Sequence, residues 1–539
     1  MAYRVLNSNM EVNRVNFDDV KAFSRRDKIY RNHPEEFRDF FQYMPDWDGF
    51  KQAINDRSRF KVDRILLSTV ISDHYNSWPA SAEQQNNISK LLDESCFTVV
   101  TAHQPSLLTG PLYYIYKIFS AINLAEELSL KFPANHFIPV FISGSEDHDF
   151  QEVNHLHLFG KSYEWKKEAG GPVGRYDLEG LANVIEEVKA VFGNSPFAAE
   201  LSHLLSTSLE GANKYNDFVF KLVNQLFGKY GVLVLNMDDA RLKHGFKHIM
   251  KRELTEHPSG EIIKRCQEKW EKLGYSNQAH AREINLFYMV DGLRERILTT
   301  DTGYAVNNTD LRFTQDELLT LLDEHPENFS PNVVIRPMYE EAILPNLAYI
   351  GGGGELAYWL ERKDQFEYFG VFFPVLIRRD SLLWLSSAQV NSLEKHNLHW
   401  KELFLEEDNL VDKYIRQAAS FDIALEEEAA AIEAIFKSVK SKAFGADKSL
   451  ESFVEAEKVK MIKVVEHIEQ RIKRALKKNE ETSVNQLKNL KAKLFPNHGL
   501  QERHDNFIQF YLTLGPTFMD ILKEVCNPMK SDFIVITNY

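Results

Sequence analysis

Cysteine is almost missing from this sequence. Its 539 residues include three, Cys96, Cys266 and Cys526. Their number and spacing support neither a disulfide framework nor a thiolate metal site, which points to a reducing compartment. No window reaches the roughly 20 apolar residues of a membrane-spanning helix. Residues 1–7 lack the basic-then-apolar pattern of a secretory signal. Positive charge is in deficit too: 64 Lys and Arg stand against 78 Asp and Glu, a formal net charge of -14. That balance argues against a general affinity for nucleic-acid backbone or an anionic membrane. The expectation is a soluble cytoplasmic protein with no nucleic-acid or membrane partner. Signature motifs are scarce as well. There is no Gly-Lys-Ser/Thr phosphate loop, no G-x-G-x-x-G fingerprint in its full context and no H-E-x-x-H pair, so no protein-bound metal is expected.

The residues that are present suffice for a large core. Apolar residues make up 44% and aromatics 12% of the chain, and the length suggests two to three structural units. Residues 1–90 mix charge with helical apolar spacing, as in the stripe Ile65, Leu66, Val70 and Ile71, and read as a helical preface packed on the core. Residues 91–385 read as that core, a parallel α/β unit with insertions at about 160–230 and 242–330, the second carrying strands. Within the core, the β-branched run of residues 97–101 ends in His103 and Gln104. A Thr109-Gly110-Pro111 loop and a segment of helical spacing come after it. This is a strand–loop–helix unit, with Pro111 suited to a first helical position. It places His103, Gln104 and Thr109 at a strand end facing a helix N-terminus, a junction that favours anions.

A second buried-strand run, residues 137–142, leads into Ser145, Glu146, Asp147, His148 and Asp149, with Asn154, His155 and His157 beyond. Three carboxylates and a histidine after a buried strand are costly to enclose unless paired or used. Crowded like charges are expected to raise at least one carboxyl pKa, as a general base near neutral pH requires. A catalytic or substrate-binding loop is the favoured reading over a metal site or a plain solvated loop. Residues 332–337 read as a short strand ending in Arg336. Gly351, Gly352, Gly353 and Gly354 then precede Glu355, and their backbone suits close approach to a ligand. Residues 371–377 form a last strand-like run ending in Arg378 and Arg379, candidates for holding carboxylate or phosphate.

The character changes near residue 386. Leu425, Ala429, Ile432, Phe436, Val439 and Ala443, then Met461, Val465, Ile468, Ile472 and Ala475, keep heptad spacing on either side of a Gly445-Ala446-Asp447 turn. This predicts an antiparallel coiled coil within a helical domain over residues 386–500. Val484, Leu487, Leu490 and Leu494 extend a third piece, and residues 501–539 return to the core.

Together, residues 101–117, 145–155, 278–287 and 330–360 and the heptad arm resemble, in order, the bacillithiol biosynthesis cysteine ligase family. The resemblance implies a Rossmann-like core akin to class I aminoacyl-tRNA synthetases and a coiled-coil arm that mediates homodimerisation. It further implies ligation of cysteine to the amine of glucosaminyl-malate, with ATP and magnesium as the suspected activating co-substrate. Thr101-Ala102-His103-Gln104 departs from the family's usual Thr-Gly-Gln-Gln, and no Lys-Met-Ser-Lys-type loop is present. On this reading Asp147, His148, Asp149 and His103 are the catalytic candidates, and Gln104, Thr109, Gly110 and Lys117 face the nucleotide. Ser145, Asn154, His155, Arg336, Asn346, the four glycines, Glu355, Tyr358 and Arg378 are expected to contact substrate. The alternative is a non-catalytic α/β metabolite sensor or scaffold that signals through its arm.

Overall fold

The computed structural model describes residues 3–4, 10–278 and 280–539. Ala279, inside the 278–287 stretch, lies outside them, as do most of residues 1–7. The described chain forms two compact units, one mainly of Val12–Leu383 with Gln501–Val535, the other mainly of Trp384–Leu500.

The first unit is built on five parallel strands: β1 (Cys96–His103), β2 (His136–Ser143), β3 (Leu233–Asn236), β4 (Asn346–Gly351) and β5 (Val375–Arg378). Their spatial order is β5-β4-β1-β2-β3. The chain starts in the middle, winds outward through β2 and β3, then crosses back to β4 and β5. This doubly wound order has its topological switch point between β1 and β4. The strands are continuous apolar runs because helices cover both faces. On one face Phe97, Val99, Leu347, Ile350 and Val375 pack with Leu124 and Leu128 of α1 (Tyr113–Lys131) and with Phe50 and Ala53 of the preface helix Trp47–Arg57. Each such side chain contributes roughly 1.5–3 kcal/mol on burial. The preface also makes one polar clamp. Arg57, buried, donates to the carbonyls of Leu344 at 2.6 Å and Asn346 at 3.0 Å, fixing the entry into β4.

Two local expectations are corrected. Pro111 does not open α1, which begins two residues later. Instead Pro111 bridges to Asn506, and the Leu112 amide donates to Asp505 O at 2.8 Å, so the C-terminal segment claims that backbone. Residues 332–337 are not a strand. Phe329–Pro331 is the strand, and the Asn332 side chain then accepts from the Val334 amide at 2.8 Å, turning the chain. Arg336 opens α4 (Arg336–Ile343), where Pro337 is tolerated because the first helical amides have no intrahelical partner. The strand Phe329–Pro331 pairs with Leu286–Val290 in an antiparallel insertion sheet that also contains Leu293–Thr300 and Gly303–Val306.

The second unit contains a helical hairpin, α6 (Glu426–Ala446) and α7 (Leu450–Asn479), followed by α8 (Glu481–Leu494). Val484, Leu487, Leu490 and Leu494 of α8 are buried, as their spacing predicts. In α7 the expected stripe holds at Val465 and Ile472 but not at its other positions. Val454 is buried and Ile462, Val465, Ile472 and Leu476 are half-buried, whereas Met461, Ile468 and Ala475 face outward, as does Val439 of α6. A second apolar stripe lies one residue away from the first, and spacing alone does not say which of two adjacent stripes meets the partner helix.

Candidate functional site

The carboxyl ends of β1 and β4 diverge at the switch point, and a cavity of about 440 Å³ opens there. Every residue lining it belongs to the first unit. The β1 and β2 tips run on together: His103 pairs with Ser143, and the Gly144 amide donates to His103 O at 2.7 Å. This brings His103 and Gln104 beside Ser145, Glu146 and Asp147, all of which line the cavity. Opposite them are Gly352, Gly354, Glu355 and Tyr358, at and beyond the end of β4. Arg336 and Glu340 of α4, Arg379 after β5 and Arg503 complete the polar wall.

Most of these groups are held. His103 contacts Gln104 O through Nδ1 at 2.9 Å and the Tyr113 hydroxyl through Nε2 at 3.0 Å. Burial, then the nearby Lys117 charge, lower its pKa to about 4, so the imidazole is neutral at physiological pH. Gln104 Nε2 donates to Asp147 Oδ2 and to Glu152 Oε2, each at 2.9 Å. Asp147 Oδ1 accepts the His148 amide at 2.7 Å. Burial pushes the Asp147 carboxyl up, but Arg336 and Arg294 outweigh it and hold it at about 2. The crowded-carboxylate expectation therefore fails for Asp147, because arginines arrive from α4 and the insertion sheet. Glu146 is paired with Lys243 and accepts from Ser330 Oγ at 3.0 Å. Glu355 accepts the Gly352 amide at 2.7 Å and the Lys117 ammonium at 2.6 Å.

Arg336 differs from them. It lines the cavity, and its guanidinium makes no hydrogen bond or ion pair with the described residues. Asp147 and Glu146 sustain its charge against burial. Arg379 is partly engaged: Nη2 donates to Glu502 at 2.8 Å, while the buried Nε has no partner among the described residues.

Several expected site residues lie elsewhere. Arg378 forms a buried bidentate pair with Asp27, at 2.9 and 3.2 Å, so the strand-end arginine at the cavity is Arg379. Alternation along a strand sends neighbours to opposite sides. Asn346 sits at the opposite, amino end of β4 and donates to Glu341 at 2.6 Å. Thr109 and Gly110 are absent from the cavity wall; both have positive φ, and Asn506 Nδ2 pins the loop through Leu108 O and Gly110 O. Lys117 stands behind the wall as a strut between Glu355 and Ala102 O. His148 is turned to Arg294, 2.6 Å away, and Asp149 is exposed. Asn154 donates to Glu164 at 3.2 Å and His155 begins a small hairpin, both off the wall. Gly351 is buried, and a Cβ on Gly353 would meet the Asp27 carboxylate at 2.3 Å, so that glycine serves close packing. Tyr113, Glu152, Gln278, Glu340, Tyr349 and Arg503 also line the cavity and are not among the expected site residues. All but Arg503 lie inside the stretches that carry the family resemblance, but nothing in their spacing singles them out; the fold gathers them.

This arrangement, a neutral imidazole, pinned carboxylates and arginines at a switch-point crevice, suits anionic small-molecule substrates. Comparison with known proteins is consistent with it. Residues 10–380 match the model of the bacillithiol biosynthesis BshC N-terminal Rossmann-like domain, and residues 382–538 that of the BshC C-terminal coiled-coil domain. The chain belongs to the BshC family. A relative from Flavobacterium johnsoniae is 37% identical over 97% of this chain and 99% of its own length. One from Christiangramia forsetii is 36% identical over 98% and 99%, and one from Bacillus cereus 28% over 92% and 94%. All three carry the name "Putative cysteine ligase BshC". Kinship with chains named as ligases does not favour the sensor reading. Among the described residues no helix is long and apolar enough to cross a membrane.

Proposed function

We propose that this BshC-family chain is an amide-forming ligase that adds cysteine to the amine of glucosaminyl-malate, the last step of bacillithiol biosynthesis. ATP, carrying its magnesium, activates the cysteine carboxylate. A carboxylate oxygen attacks the α-phosphorus, pyrophosphate leaves, and a cysteinyl adenylate forms. The sugar amine then attacks the acyl carbon and AMP departs. His103 and Gln104 face the nucleotide, and the backbone at Gly352 and Gly354 lets it approach closely. Arg336, with Arg503, takes the malate carboxylates. Asp147, ionised throughout the physiological range, orients the ammonium of the incoming amine. Acceleration comes mainly from positioning and electrostatic stabilisation in a crevice that limits water. The three cysteines are buried and free, in keeping with work in a reducing cytoplasm. The hairpin α6–α7 is the proposed homodimer contact.

One observation carries the reading: Arg336, whose guanidinium has no hydrogen-bond or ion-pair partner among the described residues, stands in the wall of the switch-point cavity of a BshC-family chain. The test is incubation of the pure protein with ATP, cysteine and glucosaminyl-malate, followed by mass spectrometry. The thiol product with AMP and pyrophosphate is expected. ADP and phosphate in their place would replace the adenylate by an acyl phosphate. Absence of any thiol product would remove the ligase reading.

A further inference from the structure

An amine attacks through its lone pair, so the ammonium must first give up a proton. The cavity has few groups able to take it. Asp147 is held far too acidic by Arg336 and Arg294. Both nitrogens of His103 are engaged, Glu355 and Glu146 are committed to lysines, and Glu152 is solvent-exposed and accepts from Gln104. Glu340 is different. It lines the cavity and is 4% exposed, and its Oε2 has no hydrogen-bond partner among the described residues. A buried carboxyl oxygen left unmatched is costly, and in a cavity wall a ligand donor can match it. Glu340 also sits one turn beyond Arg336 on α4, so both reach the same cavity.

We propose that Glu340 is the proton acceptor for the amine that attacks the activated cysteine carboxyl. The inference rests on the ligase reading. The ammonium docks against the Glu340 carboxylate and passes it one proton. The freed lone pair forms the C–N bond, and the acyl C–O bond to phosphate breaks with its electron pair leaving on AMP. The second nitrogen proton passes to water. Burial raises the Glu340 carboxyl to about 8, with Arg336 and Lys117 pulling down and Glu355 pushing up. Glu341, Tyr349 and Tyr358 also lie within its electrostatic reach. A base near that value suits proton transfer from an amine.

The test separates the two half-reactions. Glu340→Gln is expected to slow amide formation about 100-fold, while cysteine-dependent exchange of pyrophosphate into ATP stays within about twofold of wild type. Glu340→Asp recovers part of the rate. In the wild type kcat/KM for the amine rises through pH 8, and the Glu340→Gln deficit shrinks at high pH, where free amine needs no acceptor. Wild-type amide formation in Glu340→Gln overturns the proposal. So does equal loss of both half-reactions with an unchanged melting temperature, which would place Glu340 in cysteine activation. A wild-type protein without exchange or product brings down the ligase reading itself. Calorimetry of glucosaminyl-malate binding in two buffers then decides on Glu340: proton release at pH 7 in wild type but not in Glu340→Gln supports its contact with the amine, and equal release in both refutes it.

Discussion

The switch-point cavity and the helical hairpin carry the same kind of sequence signal, regularly spaced apolar residues, yet they are held in opposite ways. Around the cavity the strands are buried on both faces and their polar tips are cross-tied, as Gln104 is to Asp147 and Glu152, and Arg379 to Glu502. In the hairpin no residue of α6 is fully buried, and Ile435 and Phe453 remain 60% and 61% exposed. Where burial is complete, an unpaired charge is costly, so the cross-tied side chains have one permitted arrangement. Where burial is partial, a neighbouring stripe is nearly as good, and the phase is set by the partner helix. Spacing specifies structure in proportion to how much is buried.

The sharpest way to break this comparison is at Glu502. Its carboxylate is fully buried and accepts from Arg379 Nη2 at 2.8 Å, Ser381 Oγ at 3.1 Å and the Leu382 amide at 3.0 Å. Glu502→Ala strands the Arg379 charge in the interior and is expected to cost about 3–5 kcal/mol, read by denaturant unfolding; a loss below about 1 kcal/mol would show that the cavity wall is not cross-tied as described. Next comes Arg336→Ala. Because the Arg336 side chain makes no hydrogen bond or ion pair among the described residues, stability should hold while kcat/KM for the proposed amide formation falls about 100-fold, roughly 2.7 kcal/mol of transition-state stabilisation. A large drop in melting temperature would instead make Arg336 a structural residue. The smallest effect on folding is expected in the hairpin. Ile468 is 47% exposed, so Ile468→Asp should change stability by no more than about 0.5 kcal/mol. If the outer stripe joins two copies, light scattering will nonetheless report monomers, and an unchanged dimer would place the contact elsewhere.

Much of the core was legible in the chain. Strand β1 ends at His103 and β2 runs through residues 137–142 as their β-branched and aromatic runs predict, because a parallel strand covered on both faces admits little else. The acid-rich tip was legible as a place of consequence, and Ser145 and Asp147 do line the cavity. The choice between Arg378 and Arg379 was not legible. Two adjacent arginines look alike in a sequence, and only the pleat, together with Asp27 on one side and Glu502 on the other, assigns them. Asn346 shows the same limit from another angle: it stands on a cavity strand but at its wrong end.

By itself the sequence determined where apolar runs begin and end, hence the elements and the polar residues at their tips. Those are local consequences of keeping backbone and side chains out of water. The tertiary structure alone decided which tips share a cavity, that Arg336 and Arg294 would hold Asp147 acidic, and that Glu340 would be left with an oxygen unmatched among the described residues. A carboxyl's chemistry depends on the charges around it, and those of Asp147 come from residues far along the chain, Arg294 and Arg336.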